Sequence, residues 1–304
     1  MKVVALAGGT GSAKLLRGLA SLDVELTVVV NVGDNIWIHG VYVCPDIDIA
    51  IYTLAGIANK EQGWGVERDT FATLRQLRVL GQETWFALGD KDLATHLMRT
   101  RALREGKTLT EATGEACMAH GLRSRVLPAT DSTLETKVLT FEGEMSLQEF
   151  WVKRHGRPSV KGVKYHGAAE ARPTDEVEES IRRANVVVVC PANPMTSIGP
   201  MLAIPGMREA LVRASARTSA LSPMVGKRPF SGPAAKLMRA SRITPDSAGV
   251  AAMYVDFLDA IIIDRRDGKM AEEINRLGIR CHLSDTDLTS VTSERRLAKE
   301  LLES

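Results

Sequence analysis

The chain of 304 residues is long enough to bury a substantial core and fits one large α/β domain with an insertion, or two unequal lobes. Its 39 Lys and Arg nearly balance 37 Asp and Glu, so the formal charge of +2 excludes a global electrostatic draw to nucleic acid or an anionic membrane. Cys44, Cys117, Cys190 and Cys281 stand too far apart for a metal-ligand set or a redox pair, which predicts core or near-core thiols in a reducing cytoplasm.

The first element, Val3–Ala7, is a β-branched apolar strand that runs through Gly8-Gly9-Thr10-Gly11-Ser12 into a helix carrying Lys14. Glycines there let the backbone approach a ligand closely, and the new helix directs its N–H groups and positive dipole end at an anion. A nucleotide phosphate is the expected guest, with Thr10, Ser12 and Lys14 as added side-chain donors. The spacing lacks the third glycine of the dinucleotide fingerprint and the Lys-Ser/Thr ending of a P-loop, which disfavours ordinary dehydrogenases and NTPases.

The second strand, Leu26–Asn31, ends in Asn31-Val32-Gly33-Asp34-Asn35, where Asp34 reads equally as a ribose or metal contact and as a solvated turn residue. Cys44-Pro45-Asp46-Ile47-Asp48 then opens a helical run, Ile49–Leu54. N-capping and dipole complementarity explain two acids there. Magnesium held by one or two carboxylates beside substrate phosphates explains them better, if both project towards one ligand.

From about Asn59 to Ala184 the texture turns helical, with predicted helices at Thr70–Leu80, Leu93–Arg104 and Thr108–His120, the last with the capping-box spacing Thr108-x-x-Glu111. The turn Leu88-Gly89-Asp90-Lys91-Asp92 leads into His96; Asp90 suits a sugar hydroxyl, Lys91 a phosphate, and His96 gains functional weight from their proximity. Glu135–Phe141 and Met145–Trp151 read as a hairpin through Glu142-Gly143-Glu144. Residues 59–184 are therefore expected to be an insertion over the carboxyl edge of the sheet, supplying the second substrate's pocket.

Buried strands return at Val186–Cys190, Ser219–Ser222, Ala260–Asp264 and Arg280–Leu283, alternating with helices Gly206–Ala214, Glu272–Leu277 and a C-terminal helix opened by Ser293. The alternation predicts a doubly wound, mainly parallel sheet whose nucleotide-binding core comprises residues 1–58 and 185–304. After Cys190, the neutral, amide-rich loop Asn193-Pro194-Met195-Thr196-Ser197-Ile198-Gly199 suits base or ribose recognition, and Ser231-Gly232-Pro233-Ala234-Ala235-Lys236 repeats the idea at the next strand. No run reaches the ~18 apolar residues of a membrane span, and the N-terminal apolar run is too short for a signal sequence.

Neither a nucleophile elbow nor a His-Glu-x-x-His motif is present, which leaves phosphate chemistry. The glycine turn, Asn31–Asn35, Pro45–Asp48, Leu88–His96, Asn193–Gly199 and Ser231–Lys236, in that order over nearly the whole chain, resemble the 2-phospho-L-lactate transferase family. That resemblance implies a Rossmann-like fold, a homodimer, a magnesium requirement, and transfer of a phospholactyl or phosphoenolpyruvyl group from a guanosine diphosphate-linked donor to deazariboflavin in coenzyme F-420 biosynthesis, with GMP leaving. It further implies that Asp48, Asp90 and Lys91, with His96 beside them, contact the deazaflavin. The donor would be held by Gly8, Gly9, Thr10, Gly11, Ser12, Lys14, Asn193, Ser197 and Gly199. Asp46 and Asp48 are expected to align the metal and the alcohol, with Asp34 as a third candidate metal ligand. Trp37 and Trp64 are candidates for stacking on the flat ring. One departure is Lys91, where the family commonly has arginine; the charge is kept and the bidentate fork lost. The competing class is a non-catalytic, nucleotide-sugar-binding regulator of the gluconeogenesis-factor type, which opens with a similar turn; Pro45–Asp48 is the discriminating feature. A nicotinamide oxidoreductase ranks third, because Lys14 stands where the third fingerprint glycine belongs.

Overall fold

The computed structural model describes residues 1–226, 228–230 and 232–304; Ser231, the first residue of the Ser231–Lys236 motif, lies outside them. Seven strands form one sheet: β1 (Lys2–Ala7), β2 (Glu25–Val30), β3 (Arg125–Pro128), β4 (Val186–Val189), β5 (Arg217–Leu221), β6 (Ala260–Asp264) and β7 (Arg280–Ser284). In space they run β7-β6-β5-β4-β1-β2-β3, and every neighbouring pair is parallel. Strands covered by helices on both faces must be apolar throughout, and Val3–Ala7, Val186–Val189 and Ala260–Ile263 are all almost completely buried. The order reverses between β1 and β4. In a doubly wound sheet the crevice outside the carboxyl ends at such a reversal is where ligands bind.

Six of the seven strands were legible as short apolar runs. β3 was not, and it lies inside the segment expected to be an insertion, where it pairs with β2 from Thr27↔Arg125 to Val30↔Pro128. Residues 59–184 thus complete the sheet as well as covering its edge. The expected hairpin is formed by Glu135–Thr140 and Gly143–Ser146, and Val160–His166 adds a third antiparallel strand on its other side. The second arm stops short of the expected Trp151 because Glu149–Lys153 winds into a π-helical turn, with Phe150 fully buried and the Glu149 N–H donating to Ser146 Oγ at 3.1 Å. Buried Phe150 follows buried Leu147 by three residues, a step that one strand face does not allow, so the alternation that suggested a strand ends at Leu147.

Helix ends follow local chemistry. Thr108 and Glu111 form the expected capping box. Gly278, with φ +85°, follows the helix Ala271–Arg276 in the left-handed conformation that stops it. The C-terminal helix spans Val291–Glu303 and is capped by Ser290, so Ser293, expected to open it, is instead the third helical residue, bonded back to the cap. This helix packs on α1 (Gly9–Ala20), where Arg17 pairs with the buried carboxylate of Glu294. Among the described residues no helix is long and apolar enough to cross a membrane.

Candidate active site

β1 ends at Ala7, and the chain turns through Gly8 directly into α1. The turn is wedged between two neighbours. A Cβ on Gly8 would lie 2.7 Å from Asp46 Oδ2 and from Ser197 Cβ, and one on Gly11 would lie 2.3 Å from the Pro191 carbonyl oxygen, while Gly9 takes φ +62°. Gly8 offers no capping side chain and α1 has no acid in its own first turn; Asp46 takes the Gly9 N–H, and the N–H groups beyond it keep the polarity that suits an anion. Gly8, Gly9, Thr10 and Gly11 line a cavity of ≈ 510 Å³ at the sheet reversal, together with Pro191, Asn193, Thr196 and Ser197 beside them.

Two of the expected side-chain donors face elsewhere. The Ser12 hydroxyl accepts from the Gly8 N–H at 3.0 Å and donates to the Gly8 carbonyl at 2.8 Å, which locks the turn rather than offering a ligand contact. Lys14, five residues into α1, is exposed and does not line the cavity. Gly199 also stands back from it, packed so closely on Tyr165 that an added Cβ would lie 2.3 Å from the phenol oxygen. Asn193 caps the turn Pro194–Ile198 by accepting the Met195 N–H at 3.0 Å, so the expected loop is wound and rigid. Gly11→Ala should therefore displace the turn. Overpacking of this kind costs about 1–3 kcal/mol, so calorimetry should show a lower Tm together with weaker protection by GDP.

The acids come from β2's exit and from α2 (Pro45–Leu54). Asp34, Asp46 and Asp48 are buried, and all three line the cavity. Asp46 and Asp48 reach one cavity, but residues two apart on a helix are separated by about 200° around the axis, so the two carboxylates take different protein partners. Asp46 turns to the glycine turn, accepting from Asn31 Nδ2 at 2.9 Å and from the Gly9 N–H. Asp48 turns to α3 (Asp90–Arg104), where the guanidinium of Arg99 grips both of its oxygens and His96 Nδ1 lies 3.5 Å from Oδ2. The closer electrostatic partner of Asp46 is Asp34. Burial and then the charge of Asp46 push the Asp34 carboxyl well above its ordinary range, and burial pushes Asp46 up to about 6 against its hydrogen bonds. Asp34 Oδ1 is buried without a hydrogen-bond partner. Two hard oxygen donors, one of them unpartnered, in a site that disfavours their negative charge fit a magnesium ion.

The cavity is aromatic in part. Trp64, Trp85, Phe86, Trp151 and Phe230 line it, so Trp64 stands where a stacking residue was expected; Trp37 is exposed, packs on Tyr42 and does not reach the cavity. His96 reaches the cavity too, through a buried chain in which its Nε2 lies 3.3 Å from Asp92 Oδ1 and the Tyr52 hydroxyl donates to that oxygen at 2.8 Å. Asp90 and Lys91 do not. The Asp90 carboxylate accepts from the Thr70 hydroxyl and from the Ala72 and Thr73 N–H groups, and Lys91 Nζ donates to the carbonyls of Glu67 and Arg68. Asp69 returns the contact, accepting the N–H groups of Lys91 and Asp92 at 2.8 and 3.0 Å. This clamp holds residues 67–73 on the amino end of α3, beside a second, shallower cavity lined by Lys91, Arg68 and His120. Sequence reading missed Arg99, Asp92, Tyr52 and the tryptophans 85 and 151.

Residues 3–294 match the family described as 2-phospho-L-lactate transferase CofD. The 2-phospho-L-lactate transferase of Methanosarcina acetivorans is 41% identical over 98% of this chain and 97% of its own. The phosphoenolpyruvate transferase of Streptomyces griseus is 40% identical over 100% of this chain and 98% of its own. A solved structure of a UPF0052-family protein from Bacillus halodurans matches 99% of both chains with a TM-score of 0.67 at 20% identity, a likeness of fold.

Proposed function

The chain belongs to the 2-phospho-L-lactate transferase family, and on that premise we propose that it moves a 2-phospholactyl or phosphoenolpyruvyl group from a guanosine diphosphate-linked donor to 7,8-didemethyl-8-hydroxy-5-deazariboflavin. GMP is released, and the product is an intermediate of coenzyme F-420. The observation that carries this reading is the composition of one cavity, whose lining brings together the amino end of α1, five aromatic residues and three buried aspartates. A diphosphate suits the first, a flat tricyclic ring the second, and the reacting atoms the third.

In this mechanism the terminal ribityl hydroxyl attacks the phosphorus that carries the lactate or enolpyruvate oxygen; the new O–P bond forms as the bond to the bridging oxygen of GMP breaks, and the hydroxyl proton ends on the departing GMP phosphate. Such a reaction needs positioning and charge neutralisation rather than a covalent intermediate. The Gly8–Gly11 turn orients the diphosphate, with Asn193 and Ser197 beside it. Asp48 accepts the hydrogen bond of the attacking hydroxyl and aims its oxygen. Asp34 and Asp46 would hold magnesium, which neutralises the phosphoryl oxygens. Trp64, Trp85 and Trp151 exclude water and support the ring, while the Asp90 and Lys91 clamp orders the loop beside it. The protein acts as a homodimer in this reading, to be checked by light scattering.

The test pairs the protein with deazariboflavin and each guanosine-linked donor, lactyl, enolpyruvyl or glyceryl, and weighs the product by mass spectrometry. One donor should give the corresponding phosphodiester of the deazaflavin together with GMP. GDP should also raise Tm more than NAD or a UDP-sugar does, because a ligand bound only to the folded state stabilises it by mass action. Stronger protection by a UDP-sugar, with no product from any donor, would replace the transferase by the nucleotide-sugar regulator.

A further inference from the structure

The least expected group near the cavity is Arg99. Its side chain is the largest fully buried one in the protein, on α3, and it carries a full positive charge into the interior. Nη1 donates to Asp48 Oδ2 at 3.1 Å and Nη2 to Oδ1, so both carboxylate oxygens are held from behind. Nη1 also lies 3.4 Å from the Tyr42 carbonyl and 3.3 Å from His96 Nδ1, and Nε has no partner at all. Stability does not account for this arrangement. Desolvating two charges costs as much as their attraction returns, and an apolar pair of the same volume commonly serves a fold equally well. What the fork does provide is a fixed direction. A lone aspartate on a helix turns about two side-chain bonds, whereas a bidentate guanidinium holds the carboxylate plane and leaves only its cavity-side lone pairs free.

We propose that Arg99 is a positioning residue for transfer: it fixes the carboxylate of Asp48 so that the acceptor's hydroxyl meets one oriented hydrogen-bond acceptor at the mouth of the diphosphate cradle. His96 completes the support from the same helix, one turn earlier, with Asp92 and Tyr52 bracing its other nitrogen. The inference rests on the transferase reading and extends it to a residue that touches neither substrate.

The deciding experiment compares Arg99→Lys and Arg99→Ala with wild type in the deazariboflavin assay, alongside protection by GDP. Arg99→Lys keeps the charge and loses the fork. Its kcat should fall roughly thirtyfold or more, the scale on which misplacement of a reacting group acts, with KM for the guanosine-linked donor changed by less than about twofold. In Arg99→Ala, added methylguanidinium should restore part of the lost turnover, and methylammonium should not. Should Arg99→Ala fail to fold, Arg99→Lys alone decides the matter. Turnover of Arg99→Lys within about threefold of wild type, or a loss that merely follows its unfolded fraction, overturns the positioning role while leaving the transferase reading intact. Wild type inactive with every donor would instead overturn that reading, and this inference with it.

Discussion

Asp46→Asn should lose roughly a hundredfold or more in turnover, the scale on which misplaced or uncompensated charge acts at a reacting phosphoryl group. The same substitution should leave the empty protein as stable as wild type at pH 8, or more so. The opposition of the two effects comes from burial. Asp46 is held at a pKa of about 6 against an unperturbed value of 3.8, so the folded protein binds this proton more tightly than the unfolded chain does. Folding then takes up a proton between those values. The contribution of Asp46 to stability is most favourable below pH 4, declines as pH rises, and becomes a full cost above pH 6, on the order of 2–3 kcal/mol. Asparagine keeps an oxygen for Asn31 or the Gly9 N–H and carries no charge to desolvate. A Tm that rises at pH 8 and matches wild type near pH 4, in a variant with hundredfold slower transfer, is the expected pair of results. A Tm loss of several degrees with near-normal turnover would make Asp46 a structural acid of α2 and nothing more.

The parts of the fold legible in the sequence are those whose burial leaves no choice of residue. Val3–Ala7 and Val186–Val189 are central strands covered on both faces, and continuous apolar runs are the only sequences that suit them. β3 escaped because Arg125-Val126-Leu127-Pro128 is four residues long, sits on the sheet edge and ends in proline, which normally argues against a strand and is tolerated where no neighbour needs its N–H. Val160–His166 alternates half-buried and exposed residues, with Lys161 and Lys164 among them, and its period is diluted by Gly162. The site divides in the same way. The glycine turn and the paired acids announce themselves, because few other residue types fit a backbone approach of this kind or a buried acidic pair. Where each acid points was not legible. Asp46 and Asp48 are neighbours in sequence, yet they face Asn31 and Arg99, residues 15 behind and 51 ahead of them respectively. Arg99 itself, on a helix rich in Lys and Arg, reads as part of a solvated face; it is the packing of α3 on the strand Val41–Val43 and the helix Leu109–Ala119 that buries it. Asp90 and Lys91 show the reverse error, a polar turn that reads as a substrate contact and serves as a helix-capping clamp.

Magnesium affinity should fall as pH drops through about 6, by about tenfold per pH unit for each proton that must leave before the ion can bind. The direction follows from the same two carboxyls. Burial raises both, and the charge of Asp46 raises Asp34 further, so in acid the pair holds protons that a cation must displace, and at pH 8 the ion enters a site already in need of a positive charge. Calorimetric titration of the GDP-loaded protein with magnesium across pH 5 to 8 measures the effect, and proton release into buffers of different ionisation enthalpy counts the protons. Three variants assign the ligands. Asp34→Asn and Asp46→Asn should each remove most of the affinity, because each removes a donor, and Asp46→Asn should also flatten the pH dependence, because it removes one raised carboxyl and relieves Asp34. Asp48→Asn should weaken magnesium by much less, since Arg99 already neutralises that carboxylate from behind. Removing the charge of Asp48 also strands a buried guanidinium, and breaking such a pair costs about 3–5 kcal/mol, so this variant should show the larger fall in Tm of the three. Equal loss of magnesium in all three variants would put Asp48 in the coordination sphere and reverse the division of labour between the two acids of α2.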